Sequence, residues 1–261
     1  ETGGVSNPTL VQLPSGLSAK SVSTGQSHTC SILSDDRVYC WGKNYNGQLG
    51  IGNSSSVELT PIETLLPAGK AALSVTTGMN HNCAVMDDFS LYCWGDNDYN
   101  ATGGSYVSSN SWINEALTPI EVSIPNNSTI SMASAGNEQT CVITTSGLVY
   151  CWGYGALVQQ SAGSTTLTNT YSPVLVNLSG IEAVTIGVGD RYACALLSNS
   201  NLYCWGNNDE GQIGIGLQID SLFGPTIVTM PNNQSVVAIS VSEQHVCALL
   251  DDNSIVCWGY H

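Results

Sequence analysis

Ten cysteines give this chain its most regular chemical pattern. They occur as five pairs in which the second member is ten positions after the first, and each second cysteine begins a Cys-Trp-Gly tripeptide. Paired cysteines can bind a metal, but nine intervening residues do not match the short Cys-x2-4-Cys spacing of zinc sites, and few histidines lie nearby. The spacing therefore favours five local disulfides: Cys30 with Cys40, Cys83 with Cys93, Cys141 with Cys151, Cys194 with Cys204, and Cys247 with Cys257.

Three histidines could do metal chemistry together. His28, His81 and His245 fall at equivalent places after the five paired-cysteine segments are aligned, so a symmetric ring could bring them round a central channel. Three imidazoles can hold a transition metal. The other two equivalent places carry Gln139 and Tyr192, which favours a structural role in hydrogen bonds between repeats.

The acidic residues suggest turns and not a catalytic or calcium site. Asp96 and Asp98 alternate as in calcium loops, but Ala101 stands where such a loop has glycine, and no glutamate closes a twelve-residue loop. Pairs such as Asp35-Asp36 recur at expected hairpin tips, where aspartate favours turning. No nucleophile, metalloprotease or phosphate-loop motif is present. We predict no catalytic residue, metal or cofactor.

An internal repeat must position these residues. The Cys-Trp-Gly motifs recur at intervals of 53, 58, 53 and 53 residues, and five prolines (Pro8, Pro61, Pro119, Pro173 and Pro225) each open a short alternating segment. Three further strands follow in each repeat, as in Ala19 to Thr24, His28 to Leu33 and Arg37 to Trp41. Four short antiparallel strands per repeat make a propeller blade. The fold class predicted is all-β, a five-bladed β-propeller of four-stranded antiparallel blades with one disulfide per blade.

The two ends of the chain predict how such a ring closes. The chain starts with a proline-led strand and stops after the fifth Cys-Trp-Gly, so we expect Pro8 to Pro14 to complete the blade that contains Trp258. Residues 7–260 are then one propeller domain. Residues 1–6 are a leader in which Glu1-Thr2-Gly3 is typical of a secretion-vector remnant. A fragment of a larger ring is the alternative.

Composition indicates an extracellular protein that neither binds nucleic acid nor inserts into a membrane. Disulfides imply an oxidising compartment. Six Asn-x-Ser/Thr sequons, candidates for N-glycosylation, fit secretion: Asn53, Asn100, Asn126, Asn127, Asn177 and Asn233. The net charge of −15 has the wrong sign for a phosphate backbone, and no apolar run reaches the length of a membrane span.

Two long motifs carry a family resemblance. The segments Trp41 to Gly50 (WGKNYNGQLG) and Trp205 to Gly214 (WGNNDEGQIG) resemble the signature of the regulator of chromosome condensation repeat, as do Gly25-Gln-Ser-His28 and Gly78-Met-Asn-His81. The resemblance implies a β-propeller. The family's founding nuclear member has seven blades, binds chromatin and promotes nucleotide exchange, but charge sign, cysteine usage and blade count argue against those activities here. Secreted Cys-Trp-Gly versions, and more loosely the crinkly-type receptor kinase ectodomains, imply binding.

The connections between repeats are the predicted binding surface. Nearly all length variation falls between the Cys-Trp-Gly tryptophan and the next proline, where the distances are 20, 25, 21 and 20 residues, and loops on a rigid scaffold commonly carry function. The longest contains Tyr99, Tyr106 and Trp112; Tyr154, Tyr171 and Phe223 in the following connections extend the patch. Trp112 could instead fill its own loop. The five Cys-Trp-Gly tryptophans are expected to pack between blades.

Three functional hypotheses follow, in order of preference. The first is a non-enzymatic extracellular or cell-surface module that binds another protein through these loops. The second is a carbohydrate-binding propeller whose aromatic faces stack on sugars. The third is an extracellular hydrolase, which would need a clustered acid and base that the sequence does not reveal.

Overall fold

The structure is a computed structural model that describes residues 7–104, 114–155, 170–217 and 221–260. Nineteen strands in these ranges form five antiparallel sheets, which are the blades of a β-propeller. Blade 1 comprises β1 Ala19–Thr24, β2 His28–Leu33, β3 Val38–Lys43 and β4 Val57–Glu63. Blade 2 comprises β5 Ala72–Thr77, β6 His81–Met86, β7 Leu91–Asp96 and β8 Glu115–Glu121.

The remaining blades repeat this order. Blade 3 comprises β9 Ile130–Ala135, β10 Gln139–Thr144, β11 Val149–Gly153 and β12 Thr170–Val176. Blade 4 comprises β13 Ala183–Val188, β14 Tyr192–Leu197, β15 Leu202–Asn207 and β16 Ser221–Ile227. Blade 5 comprises β17 Val236–Val241, β18 His245–Leu250 and β19 Ile255–Gly259. Short 3-10 helices lie at Asp98–Asn100, Pro125–Asn127 and Pro231–Asn233.

The five predicted disulfides are all formed. In every blade the second and third strands form a tight hairpin, and its register places the two cysteines directly opposite each other, as Cys30 is opposite Cys40. The paired Cα atoms are 4.1 Å apart in each case. Acidic, asparagine-rich or glycine-containing turns close these hairpins, with Asp36 in the left-handed region at φ 63°. One disulfide per blade is therefore confirmed.

Four of the five repeated prolines lie inside the outer strands and do not open them, which corrects the prediction: Pro61, Pro119, Pro173 and Pro225. In blade 1, Cys40 pairs with Ile62 and Gly42 pairs with Glu58, so three residues ending at Pro61 bulge opposite one residue of β3. Blades 2, 3 and 4 have the same irregularity. A bulge on an outer strand tolerates proline because the missing N–H is not needed in the ladder.

Apolar clusters join consecutive blades. Each of four clusters contains the disulfide of one blade and the tryptophan of the next, as Cys30 and Cys40 pack with Trp94. Trp94, Trp152 and Trp258 also donate from Nε1 to a carbonyl in the preceding blade's loop, at 2.8 to 2.9 Å. The predicted packing of the tryptophans between blades is confirmed at these joints. Trp41 lies on the face of blade 1 against which no other described blade packs, and it is only half-buried.

Close backbone contacts set the spacing of the blades near the axis. A Cβ on Gly25 would lie 2.5 Å from the carbonyl oxygen of Gly78, and one on Gly78 would lie 2.2 Å from that of Gly136. The same contact joins Gly136 to Gly189 at 2.4 Å. A side chain at any of these glycines would push neighbouring blades apart.

The predicted closing strand is not formed in the structure. Blade 5 has three strands, residues 7–14 adopt no strand, and β19 pairs only with β18 among the described residues. Val11, which corresponds to Thr64 directly after β4, is 39% exposed, whereas Thr64 is buried. No apolar cluster of the described residues joins blade 5 to blade 1. Closure of the ring by the N-terminal segment therefore stays a prediction.

Candidate functional site

The loops that follow the third strands gather at one end of the blades, here called the loop rim. The turns between first and second strands lie at the same end, because the residue after each Trp-Gly bonds to that turn: Asp96 N–H donates to the carbonyl of Asn80 at 2.9 Å, and Tyr154 N–H donates to that of Glu138 at 2.8 Å. The loop rim therefore combines the variable connections with the axial turns. Rigid sheets hold both.

Two predicted tyrosines meet on the loop rim. The ring centroids of Tyr99 and Tyr154 lie 4.5 Å apart with an interplanar angle of 48°. Tyr99 sits in the short 3-10 helix of blade 2 with φ 56°, and it remains 38% exposed. A bulky residue in the left-handed region is uncommon and marks a conformation that the surrounding loop enforces.

Buried asparagines enforce that conformation. Asn97 accepts from the Thr102 backbone N–H at 3.1 Å and from the Thr102 hydroxyl at 2.6 Å, which fixes the loop on itself. Asn100 is 2% exposed and donates from Nδ2 to the carbonyl of Tyr171 in the outer strand of blade 3. Tyr171 is 58% exposed, so its side chain lies on the surface beside the loop that carries Tyr99.

Arg191 completes the cluster, and the sequence analysis missed it. Its guanidinium carbon lies 5.8 Å from the ring centroid of Tyr154, and its Nη2 lies 3.4 Å from Asp190 Oδ2. The distance is within cation–π range. Burial works to lower the pKa of Arg191, but Asp190 and Tyr154 raise it on balance. Its place in the turn Gly189-Asp190-Arg191-Tyr192, and the rarity of cations in this chain, were the available signals.

Carboxylates surround the aromatic cluster. The pKa of Glu138 is raised, first by burial and then by repulsion from Asp96 and Asp190. Burial also raises the pKa of Glu115, with Asp96 as the second cause. The pKa of Tyr99 is raised chiefly by the negative charge of Glu138. The arrangement is a partly exposed aromatic pair surrounded by negative charge, with the cation Arg191 at its edge.

The other predicted binding residues lie where the structure gives no geometry. Tyr106 and Trp112 are outside the described residues, and so is the side chain of Phe223. Their participation stays a prediction. Of the six predicted residues, the structure brings together Tyr99 and Tyr154, and it ties the backbone of Tyr171 to the same loop.

Two of the three histidines bond across blades, as expected, whereas His245 Nδ1 lies 2.7 Å from Ser242 Oγ in its own blade. His28 Nε2 lies 2.6 Å from Asn82 Oδ1. His81 Nε2 donates to Thr140 Oγ1 at 2.8 Å, because the Thr140 hydroxyl itself donates to the carbonyl of Ala101. Gln139 continues the series by donating from Nε2 to the carbonyl of Tyr192 at 2.8 Å. These contacts give the residues a structural role.

The acidic turn of blade 2 is internally bonded. Asp96 Oδ1 accepts from the N–H of Asp98 at 2.9 Å, and Asp96 Oδ2 accepts from Asn46 at 3.2 Å. In the described part of the chain, no group of three or more His, Cys, Asp or Glu side chains is placed to hold a metal ion. The same ranges contain no helix with the length and apolar character that a bilayer crossing requires.

The sequon asparagines differ in accessibility. Asn53, Asn126, Asn127, Asn177 and Asn233 are exposed. Asn100 is buried, and its Nδ2, the atom that would carry a glycan, is already bonded to Tyr171. The folded chain therefore offers five accessible sequon asparagines, and Asn100 is unsuited to carry a glycan.

Repeated blades, glycine contacts at the axis and tryptophans pinned by the preceding loop define an all-β propeller of repeat type. Models of the regulator of chromosome condensation (RCC1) repeat match residues 19–48, 73–101 and 183–212, and residues 35–85 and 199–249. The chain belongs to this family.

Known proteins agree with that assignment. The chain is 31% identical over 254 residues to the ultraviolet-B receptor UVR8 of Arabidopsis thaliana, covering 97% of this chain and 55% of that protein. The crystal structure of human WBSCR16 aligns with a TM-score of 0.77 and 25% identity over 89% of this chain and 58% of that one. Yeast RCC1 (Prp20), solved bound to Kap60, aligns with a TM-score of 0.72 and 22% identity over 92% of this chain and 55% of that one. The chain thus spans little more than half of these proteins' length.

Proposed function

We propose that this propeller is an extracellular, non-enzymatic recognition module that binds another protein through its loop rim. The observation that carries the proposal is the partly exposed cluster of Tyr99, Tyr154 and Arg191, with the exposed Tyr171 beside it. Tyrosine and arginine are enriched where protein interfaces concentrate their binding energy. The family supports a protein-interaction role, since a solved relative was crystallised with its protein partner.

The charge of the rim specifies the partner's chemistry. Glu138, Asp96 and Glu115 all have raised pKa values, because burial and mutual repulsion make the ionised forms costly. A partner surface rich in lysine and arginine would relieve that repulsion and could stack its cations on the tyrosine faces. The net charge of −15 favours attraction to such a surface over longer distances.

Extracellular location rests on the five disulfides. Such bonds persist in oxidising compartments and are rare in the reducing cytosol. Five exposed sequon asparagines fit passage through a secretory pathway. Fractionation of the source cells tests the location: recovery from the medium or the cell surface is expected, and recovery of the reduced chain from cytosol contradicts it.

The binding site is tested with a double variant and a matched control. Proteins from the source's extracellular medium are captured on the wild-type chain, on Tyr99→Ala/Tyr154→Ala, and on Tyr45→Ala. Tyr45 is a tyrosine of the same rim in blade 1 and is 54% exposed. We expect a partner that Tyr45→Ala retains and the double variant loses, with affinity reduced about tenfold or more. Equal affinity for all three chains would remove the site.

Carbohydrate binding is the second candidate, and the exposed faces of Tyr99 and Tyr171 favour it, since aromatic faces can stack on sugars. Specific, saturable binding on a glycan array that is lost in Tyr99→Ala would replace the protein partner with a sugar. Sustained turnover on a panel of ester, peptide and glycoside substrates would instead overturn the non-enzymatic assignment.

A further inference from the structure

The propeller has a second end, here called the lower rim, opposite the loop rim. Because the strands of each blade are antiparallel, the hairpin turns between second and third strands and the connections from each outer strand to the next blade lie there. In blade 3, a groove of about 150 Å³ lies between the hairpin turn at Gly147 and the connection that contains Leu178. Its lining residues are aliphatic apart from Gly147, Gly180 and Asn177. Blade 3 packs against blade 2 on one side and blade 4 on the other, so the groove lies within the row of packed blades.

The walls of this groove differ in chemistry from those of the equivalent grooves. Leu175 of the outer strand pairs with Tyr150, and Leu148 lies two residues before that tyrosine. Both leucines line the groove and are 43% exposed. Blades 1 and 2 have polar residues at the two equivalent positions: Arg37 with Glu63, and Ser90 with Glu121. The blade 1 residues form an ion pair, so blade 3 exposes aliphatic surface where its neighbours expose polar groups.

The connection that forms one wall of the groove is tightly held. It runs from β12 to β13 and is shorter than the connections before and after it. It turns at Ser179 and Gly180, with φ 58° and 76°, in place of a 3-10 helix such as Pro125–Asn127. Asn177 Oδ1 accepts from the Ser179 N–H at 3.0 Å. The wall is fixed by its own hydrogen bonds, so the groove is preformed and binding needs little ordering of the chain.

One carboxylate stands beside the groove. A Cβ on Gly147 would lie 2.7 Å from Cγ of Glu182, so the stem of Glu182 lies against the hairpin turn that lines the groove. Glu182 is exposed, and among the described residues it takes part in no ion pair. The other blades have uncharged residues at the equivalent position: Ala71, Thr129 and Ser235. The complement to this surface is an apolar side chain with a cation next to it.

We propose that this groove, called the blade 3 groove, binds a peptide segment of a partner protein through one leucine- or phenylalanine-sized side chain with a lysine or arginine beside it. An apolar site of about 150 Å³ can accommodate a benzene-sized group. The inserted side chain removes the aliphatic walls from water, and Glu182 pairs with the neighbouring cation. Because the lower rim is opposite the loop rim, the blade 3 groove is a second contact surface, separate from the cluster of Tyr99 and Tyr154.

Selection from a peptide library tests the groove. The chain is produced in a bacterial periplasm, which is oxidising and adds no glycan to Asn177 at the groove wall. A random library displayed on phage is first depleted on Leu148→Arg/Leu175→Glu, which introduces the residue types of the blade 1 ion pair, and is then selected on the wild-type chain. We expect enriched peptides in which leucine or phenylalanine lies within about two residues of lysine or arginine. The double variant should bind them about tenfold or more weakly.

Two further variants isolate the groove. Tyr99→Ala/Tyr154→Ala changes only the loop rim and should bind the enriched peptides as the wild type does. Glu182→Gln should weaken binding about threefold or more at low ionic strength. If Leu148→Arg/Leu175→Glu does not fold, Leu175→Glu alone replaces it in the depletion. No enrichment after depletion, enriched peptides without a large apolar residue, equal binding by Glu182→Gln, or loss of binding in the loop-rim variant would each overturn the proposal.

Discussion

Blades 4 and 5 present equivalent faces that differ in solvent exposure. The outward face of blade 4 packs against blade 5, and five of its residues are at most 3% exposed: Tyr192, Cys194, Leu196, Leu202 and Cys204. The counterparts on blade 5 are all partly or fully exposed: His245, Cys247, Leu249, Ile255 and Cys257. The chemistry of the two faces is similar. Burial at these positions is therefore supplied by the neighbouring blade and not by the sheet that carries them.

Blade 1 shows the same contrast on its other face. Val22 of β1 is 67% exposed, whereas its counterpart in blade 4, Ile186, is 4% exposed. The exposed faces of blades 1 and 5 thus correspond to the two surfaces that pack together at each of the four contacts between consecutive blades. Variants at matched positions can measure how much each joint contributes.

The largest expected effect comes from a tryptophan inside a joint. Trp152 is 0% exposed and donates to the carbonyl of Ala101, so Trp152→Ala should lower the free energy of unfolding by about 3–5 kcal/mol. Trp41 is half-buried on a free face, and Trp41→Ala should cost about 1 kcal/mol. Urea denaturation followed by circular dichroism measures both. Equal losses would show that blade 1's free face is covered in solution.

A smaller effect is expected from a leucine of the blade 4 disulfide hairpin that packs against the next blade. Leu202 is 1% exposed and Ile255 is 69% exposed at the equivalent position. Leu202→Ala should therefore cost about 2–4 kcal/mol, and Ile255→Ala should cost less than about 0.5 kcal/mol. The same denaturation measurement applies. A large loss in Ile255→Ala would instead support closure, since residues 7–14 would then cover β19 as a fourth strand.

The pH dependence of the joints gives the smallest effect. Burial, followed by repulsion from His28, lowers the pKa of His81 to about 4. The folded state then binds fewer protons than the unfolded state between about pH 4 and 6.5, so stability is lost as pH falls through that window, by about 2–3 kcal/mol.

His81→Gln tests this dependence, because glutamine occupies the equivalent place in blade 3 as Gln139. Urea midpoints at pH 7 and pH 4.5 should differ less in His81→Gln than in the wild type. His245→Gln is the matched control on the exposed face, and its difference should equal that of the wild type. An unchanged difference in His81→Gln would contradict the assigned role.

The repeat made the blades and disulfides predictable because both depend on local pattern. Opposed cysteines such as Cys30 and Cys40 need only a hairpin register, which the acidic turn between them indicates. Closure was not predictable on that basis, because it depends on the angle between packed blades, which no local motif encodes. The bulges at the prolines were also missed, since alternation alone does not show that three residues ending at Pro61 oppose one residue of β3.

The candidate site was predicted in part for a similar reason. Tyr99 and Tyr154 were assigned to one rim because consecutive connections must emerge at the same end of the blades, and the structure brings their rings together. Arg191 lies in an axial turn and not in a variable loop. Its contact with Tyr154 depends on the packing of blade 4 beside blade 3, which sequence spacing does not specify.

The hydrogen bonds that Trp94, Trp152 and Trp258 donate to the preceding blade's loop have a consequence for how the number of blades can change. Trp94 and Trp152 both bond to the loop of the preceding blade, so a joint requires nothing beyond two adjacent repeats. Duplication of one whole repeat, from one outer-strand bulge to the next, would therefore reproduce its contacts with both neighbouring blades. No new contact would have to evolve. Gene duplication could therefore lengthen or shorten such an arc one blade at a time while the rest of the molecule stays unaltered.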